Sequence, residues 1–459
     1  RAPMIRRRRF LQAAGGLLLP ATGWAVHSAV GSRPELPPLA EIALDRSEPG
    51  LASGVLVAAA GPVPIDGRTV RAVTYNGAFP GPLLRVREGE TVRLRLQNRL
   101  DRLTNLHFHG LSVPPGGRAD NVWIHVPGGE HFDYEFTVPR GDAGLHWFHP
   151  HIHGATAPDM FRGLTGAILV EGERDFERGL DCDDRVCVLK DVAVERGRIP
   201  DHHPMTWSAG REGDWLLVNG VRRPVLHARR SLVRLRLLNA SNARYWRLKR
   251  SDGEPLAVIA HDGRYLERPQ AVAELLLVPG ARAEVLMPLH GDDPLDLQYL
   301  PSHRRGITYT PEQPILSIVP PRVHTSVALP SRLDTWTPFD ASAADTERDI
   351  VLSLFNICGR FMDPHRVDIR TRNGAREIWR VRNVDIMDHP FHLHTWHYEV
   401  LDVNGRPPPY RARFDMLNVR EGDVARLGIH FAGPSGRTLY HCHFAEHADS
   451  GMMAVIQVD

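Results

Sequence analysis

Lysine is nearly missing from this 459-residue chain. Lys190 and Lys249 are the only two, so the 56 basic residues are almost all arginine, which we read as coding bias rather than function. A charge of one sign is missing as well: 56 basic against 54 acidic residues leave +2, which argues against nucleic acid or an anionic surface as partner. Four cysteines are too few for a disulfide framework. Cys182 and Cys187 flank residues 183–186 and could bridge a turn; Cys358 reads as a plain buried thiol. No apolar run is long enough to span a bilayer, so stable membrane insertion is not expected. Sustained helical periodicity is also absent. Short alternating runs are broken by Gly or Pro turns every ten residues or so, which excludes a helical bundle and argues for β-sandwiches.

What is present starts with an export signal. Arg6, Arg7, Arg8 and Arg9 precede Phe10-Leu11 and a short apolar segment over residues 13–26, a twin-arginine pattern followed by a linker over residues 32–38. Residues 1–39 are therefore expected to direct the chain to the periplasm or outside the cell. The rest repeats. Asn76-Gly77 precedes the alternating strand 91–98, Asn219-Gly220 precedes 232–239, and Asn356 with Gly359 precedes 377–383, at intervals of 143 and 137 residues. Three Greek-key β-sandwich units are expected, over residues 40–172, 173–325 and 326–459. Each arginine-bearing repeat strand should be half-buried and antiparallel.

Histidine is concentrated in the outer two units. His107 and His109 follow the first repeat strand, and His149 and His151 close the first unit. His389, His392 and His394 follow the third repeat strand, and His441 and His443 close the third unit. Eight of these form four His-x-His pairs, each putting two imidazoles on one face of a strand. That set suits a three-copper cluster with positions open to dioxygen. Between the last two imidazoles stands Cys442, which strand alternation turns to the opposite face. Cys442, His447 and Met452 recur at five-residue spacing and supply thiolate, imidazole and thioether; His389 completes a blue-copper donor set. Taken alone, the last twenty residues could also be a zinc site. The middle unit has no histidine pair and reads as a spacer.

The motifs HFHG, HPHIHG, HPFHLH and HCHFAEHADSGMM, in this order, make the chain resemble a three-domain multicopper oxidase, closest to the small bacterial laccases. The resemblance implies that the three sandwiches are cupredoxin-like and that they hold four coppers: type 1 on His389, Cys442, His447 and Met452, and type 2 on His107 and His392. The type 3 pair would take His109, His149 and His443 on one ion and His151, His394 and His441 on the other. It further implies that a phenol, an aromatic amine or a metal ion docks over the edge of His447 and gives up one electron. That electron passes through Cys442 to the cluster, where four reduce dioxygen to two waters. Asp120 is the candidate proton donor, and Asp385 is expected to touch a type 1 histidine. Relatives carry a glutamate after the residue that is His447 here; this chain has Ala448, leaving Asp449, Glu446 or water to substitute. The methionine-rich insertion of copper-detoxifying relatives is absent, so phenols are favoured over cuprous or manganous ions. A copper-free cell-division scaffold and a copper carrier without turnover are the rival classes, and the chain is expected to act as a monomer.

Overall fold

Strands fill the computed structural model, which describes residues 33–177, 180–302, 304 and 309–459. Of the export and linker segment expected over residues 1–39, residues 1–32 lie outside the described residues; the end of the expected linker is not free, since Leu36 is buried in the core and its N–H bonds Val225 O at 2.7 Å. Among the described residues the strands form six sheets that stack as three sandwiches. The first uses strands between residues 44 and 171, the second between 183 and 319, and the third between 346 and 458. In the first, Leu56, Leu94 and Leu96 of one sheet share a core with Val86, Phe108 and Phe148 of the other. The cores of the second and third sandwiches run together, and residues 34–459 form one compact unit. No helix among the described residues is long and apolar enough to cross a membrane.

The repeat strands show how sequence pattern becomes packing. Along Thr91–Asn98 the leucines turn inward, while Arg93 and Arg95 face solvent and reach Glu135 and Asp133, each at 2.7 Å, on the antiparallel strand His131–Thr137. Its other edge pairs in parallel with Leu51–Ile65. The same parallel contact recurs in both later copies, so the repeat strands are not purely antiparallel as expected. The reason is the Greek-key crossover, which returns the chain beside the repeat strand in the same direction.

The middle copy departs further. All eight residues of Leu232–Asn239 are buried, including Arg234 and Arg236. Both guanidiniums bond Glu284 on the neighbouring strand, at 2.9 Å and 3.1 Å, and Arg236 also bonds Asp184 at 2.8 Å. Burying an arginine is tolerable only with such paired carboxylates.

The possible Cys182–Cys187 bridge is not formed, and one cysteine expectation fails. Cys182 and Cys187 are free thiols. Cys187 lies inside the extended strand Asp183–Val192, so the five-residue step from Cys182 spans roughly 16 Å, well beyond disulfide reach. Cys358 is exposed, not buried, because it sits at φ 53° in the tight turn after Asn356–Ile357.

The site depends on two strand pairs. His107–His109 runs antiparallel to Gly144–His149, with His107 opposite His149. His389–Leu393 runs antiparallel to Gly436–Cys442, with His392 opposite His441 and Phe391 opposite Cys442. That register turns His392 and His441 to one face and Cys442 to the other. A slip of one residue would exchange the faces.

Candidate metal centre

Ligand atoms converge in two places. At the first, His389 Nδ1 lies 3.5 Å and His447 Nδ1 lies 3.8 Å from Cys442 Sγ. All three residues are fully buried. Backbone bonds from Cys442 N to Met452 O and from Met452 N to His447 O fold the buried Met452 against them. The far nitrogens are held: His389 Nε2 lies 3.0 Å from Asp385 Oδ2, and His447 Nε2 lies 3.0 Å from the Ser208 carbonyl. Burial pushes the Cys442 thiol far up, so a thiolate at this position needs a cation beside it.

At the second, the histidine pairs of the first and third sandwiches meet. His109, His149 and His443 form one triplet and His151, His394 and His441 another, their ligand nitrogens within 4.8 Å of one another. His107 and His392 stand beside them, and both fall in a group with His109. His441 Nε2 lies 3.0 Å from His394 Nε2 and 3.3 Å from His151 Nε2.

Whether these residues suit a metal is decided by their unpaired atoms. His107 Nε2, His149 Nε2 and His392 Nε2 are buried without any hydrogen-bond partner. Their Nδ1 atoms are anchored to Asp120, to Pro150 O and to Asp415 O respectively. His109 reverses the arrangement: Nε2 faces Asp415 at 3.2 Å and Nδ1 is unpaired. An unsatisfied buried polar atom costs about 1–3 kcal/mol, so several converging at one point mark a binding site. Burial also holds His149 and His392 down to about 3 and His441 to about 4, which leaves their lone pairs free at neutral pH. Neutral, back-anchored imidazoles are what a bound transition metal requires.

The middle sandwich is more than the expected spacer. Arg282 is fully buried and binds both oxygens of Asp415 at 2.7 Å, and Asp415 in turn orients His109 and His392. Gly280, at φ 86°, lets the backbone pass so close to His443 that a Cβ there would come within 2.9 Å of the ring. Sequence pattern missed Arg282, Asp415 and Ser208, since none lies in a histidine motif.

Asp120 is buried, bonds Phe108 N at 2.8 Å, and its two oxygens lie 2.9 Å and 3.0 Å from His107 Nδ1; burial raises its carboxyl to about 7. Of the carboxylates offered against Ala448, Glu446 turns to the middle sandwich, bonding Asn242 and His202. Asp449 turns to Gly154 and Ala157, just past His151, and burial raises it to about 7. His146 and His397 bond backbone carbonyls instead of joining a ligand group. One expectation fails. The edge of His447 is not open to a substrate, because the helix Pro204–Ala209 lays Ser208 across it and Phe355 packs edge-on at 5.0 Å.

Residues 58–175 and 329–459 each match a multicopper oxidase family domain. The multicopper oxidase mco of Staphylococcus aureus is 30% identical over 394 residues, covering 84% of this chain and 83% of that protein. The chain belongs to the multicopper oxidase family. It is an oxidoreductase, and membership implies copper. Among solved structures, this multicopper oxidase is similar to one from Campylobacter jejuni described as a metallo-oxidase, with TM-score 0.85 and 28% identity over 93% of this chain and 95% of that one. It is also similar to the laccase-like CueO of Ochrobactrum sp., active on lignin model compounds, with TM-score 0.81 and 31% identity over 92% and 99%. The cell division protein FtsP of Edwardsiella tarda is 32% identical to this multicopper oxidase over 99% of both chains.

Proposed function

We propose that the chain is a laccase-type oxidase, which takes single electrons from phenols or aromatic amines and delivers four of them, together with four protons, to dioxygen, forming two waters. Four coppers per chain serve that reaction: one on His389, Cys442, His447 and Met452, one on His107 and His392, and one on each histidine triplet. Copper in these settings supplies one-electron exchange at the thiolate and a place for dioxygen at the imidazoles.

The observation that carries the reading is Cys442 between His441 and His443. The thiol meets His389 and His447 on one face, while its two covalent neighbours enter the two triplets on the other. Electrons therefore have a path of a few bonds through one strand end. Asp120 holds the proton that the reduction consumes nearest to His107. Asp385 fixes the ring of His389.

An apolar rim supports an aromatic substrate. Leu354, Phe361, Val384 and Ile386 are each more than half exposed, and they sit in chain segments adjoining the thiolate site. Phe361 packs on Gly451, next to Met452. With His447 covered, the electron enters across the Ser208–Phe355 surface rather than at the ring edge. Oxidation of cuprous or manganous ion is the second reading, favoured by the likeness to a metallo-oxidase. Similarity to a cell division protein favours a scaffold, which has no use for ten inward-facing histidines.

Oxygen uptake by the copper-loaded chain separates these readings. A good phenol is expected to give a higher kcat/KM than cuprous ion. The opposite ranking replaces the substrate class; no uptake with any reductant leaves a copper carrier if copper is bound and a scaffold if none is.

A further inference from the structure

A cavity of about 600 Å³ has none of the thiolate-site residues in its lining, and sequence motifs give no hint of it. Its lining comes from all three sandwiches and from the segment linking the second to the third, with Arg264 and Arg413 beside Trp336, Thr395 and Trp396. Three features set it apart from a water-filled crevice.

The first is a surplus of donors. Arg413 Nε, Trp336 Nε1, Trp396 Nε1 and Thr395 Oγ1 are all buried without a hydrogen-bond partner. Arginine and indole nitrogens only donate, so what they lack is an acceptor. The second is uncompensated charge. Five arginines line the cavity against Asp142, Asp334 and Glu399. Asp142 is taken by Arg264 at 2.6 Å, Asp334 lies 3.5 Å from Arg174, and Glu399 accepts from Phe339 N. Among the described residues, Arg413 has no carboxylate oxygen within 4 Å. Burial and the neighbouring Arg264 lower its guanidinium to about 10, outweighing the pull of Asp334 and of Glu399, its partner across the strand pair, so a positive charge is held there at a cost that a bound anion would reduce. The third is shape. The Arg413 guanidinium lies 5.2 Å from the Trp336 ring centre, and Phe339 adds an apolar wall. The volume falls within the roughly 300–1,000 Å³ of small-molecule sites and exceeds what an inorganic ion fills.

We propose that this cavity binds a small organic carboxylate, its two oxygens facing the Arg413 guanidinium, its body against the Trp336 and Phe339 rings. A planar guanidinium matches a carboxylate in two-point geometry. The site is separate from the copper ligands. Its lining nevertheless includes Thr395 directly after His394, and Arg413 two residues before Asp415, so an occupant stiffens segments that hold the histidine cluster.

Titration calorimetry with benzoate on the copper-loaded full chain tests this, with inorganic phosphate as the second probe. Saturable benzoate binding is expected, weakened at least tenfold in Arg413→Gln and a few-fold in Trp336→Phe, with phosphate binding more weakly than benzoate. The blue absorption and copper content, read on each variant, establish that it is folded. If Arg413→Gln fails that control, Trp336→Phe carries the comparison. Equal benzoate affinity in wild type and variants, tighter binding of phosphate, or no saturable binding overturns the proposal.

Discussion

Cys442→Ser yields a folded chain without intense visible absorption. The substitution changes one atom in a fully buried position, so packing survives, but a hydroxyl cannot provide the soft sulfur donor that defines a blue-copper site. His389 and His447 remain, held by Asp385 and Ser208. The imidazole triplets are untouched, since strand alternation puts their atoms on the other face. The visible band should vanish and about three-quarters of the copper should stay. Turnover should fall well beyond the roughly 10- to 100-fold that losing an outer-shell partner costs. A visible spectrum and metal analysis of the purified variant check this. A surviving blue band refutes the ligand assignment.

Asp120→Asn is the second large effect. Asparagine keeps an acceptor for Phe108 N–H and still reaches His107 Nδ1, so geometry at the cluster is retained. It cannot deliver a proton. Loss of a positioned acid typically costs about 10²–10⁴-fold in rate, and kcat with a saturating phenol should fall within that range while the blue band is unchanged. A variant with wild-type kcat would make Asp120 a clamp for His107 and nothing more.

Much of this site was readable before any coordinates, because its information is local. The spacing of His441, Cys442 and His443 translates directly into two faces of one strand, and the four His-x-His pairs name the partners. What could not be read is what other elements contribute across long separations. Arg282 lies 133 residues from Asp415 and more than 100 from either orienting contact it supports. No periodicity signals it, and the alternating pattern around Arg234 and Arg236 pointed to solvent until Glu284 was found opposite them. Exposure of Cys358 failed to show for a local reason and burial of His447 for a distant one. One follows from a tight turn with positive φ, the other from a short helix delivered by the middle sandwich. The fold class was legible from alternation and turns; the Greek-key crossover that makes each repeat strand half parallel was not.

In the proposed arrangement, one strand end joins a thiolate site to a three-ion imidazole cluster. Copper counted per chain after loading, together with the visible spectrum, tests it most directly. Four coppers with an intense blue band are expected, one of them lost along with that band in Cys442→Ser. A fully loaded chain with one copper or none, or with four but no blue band, contradicts it.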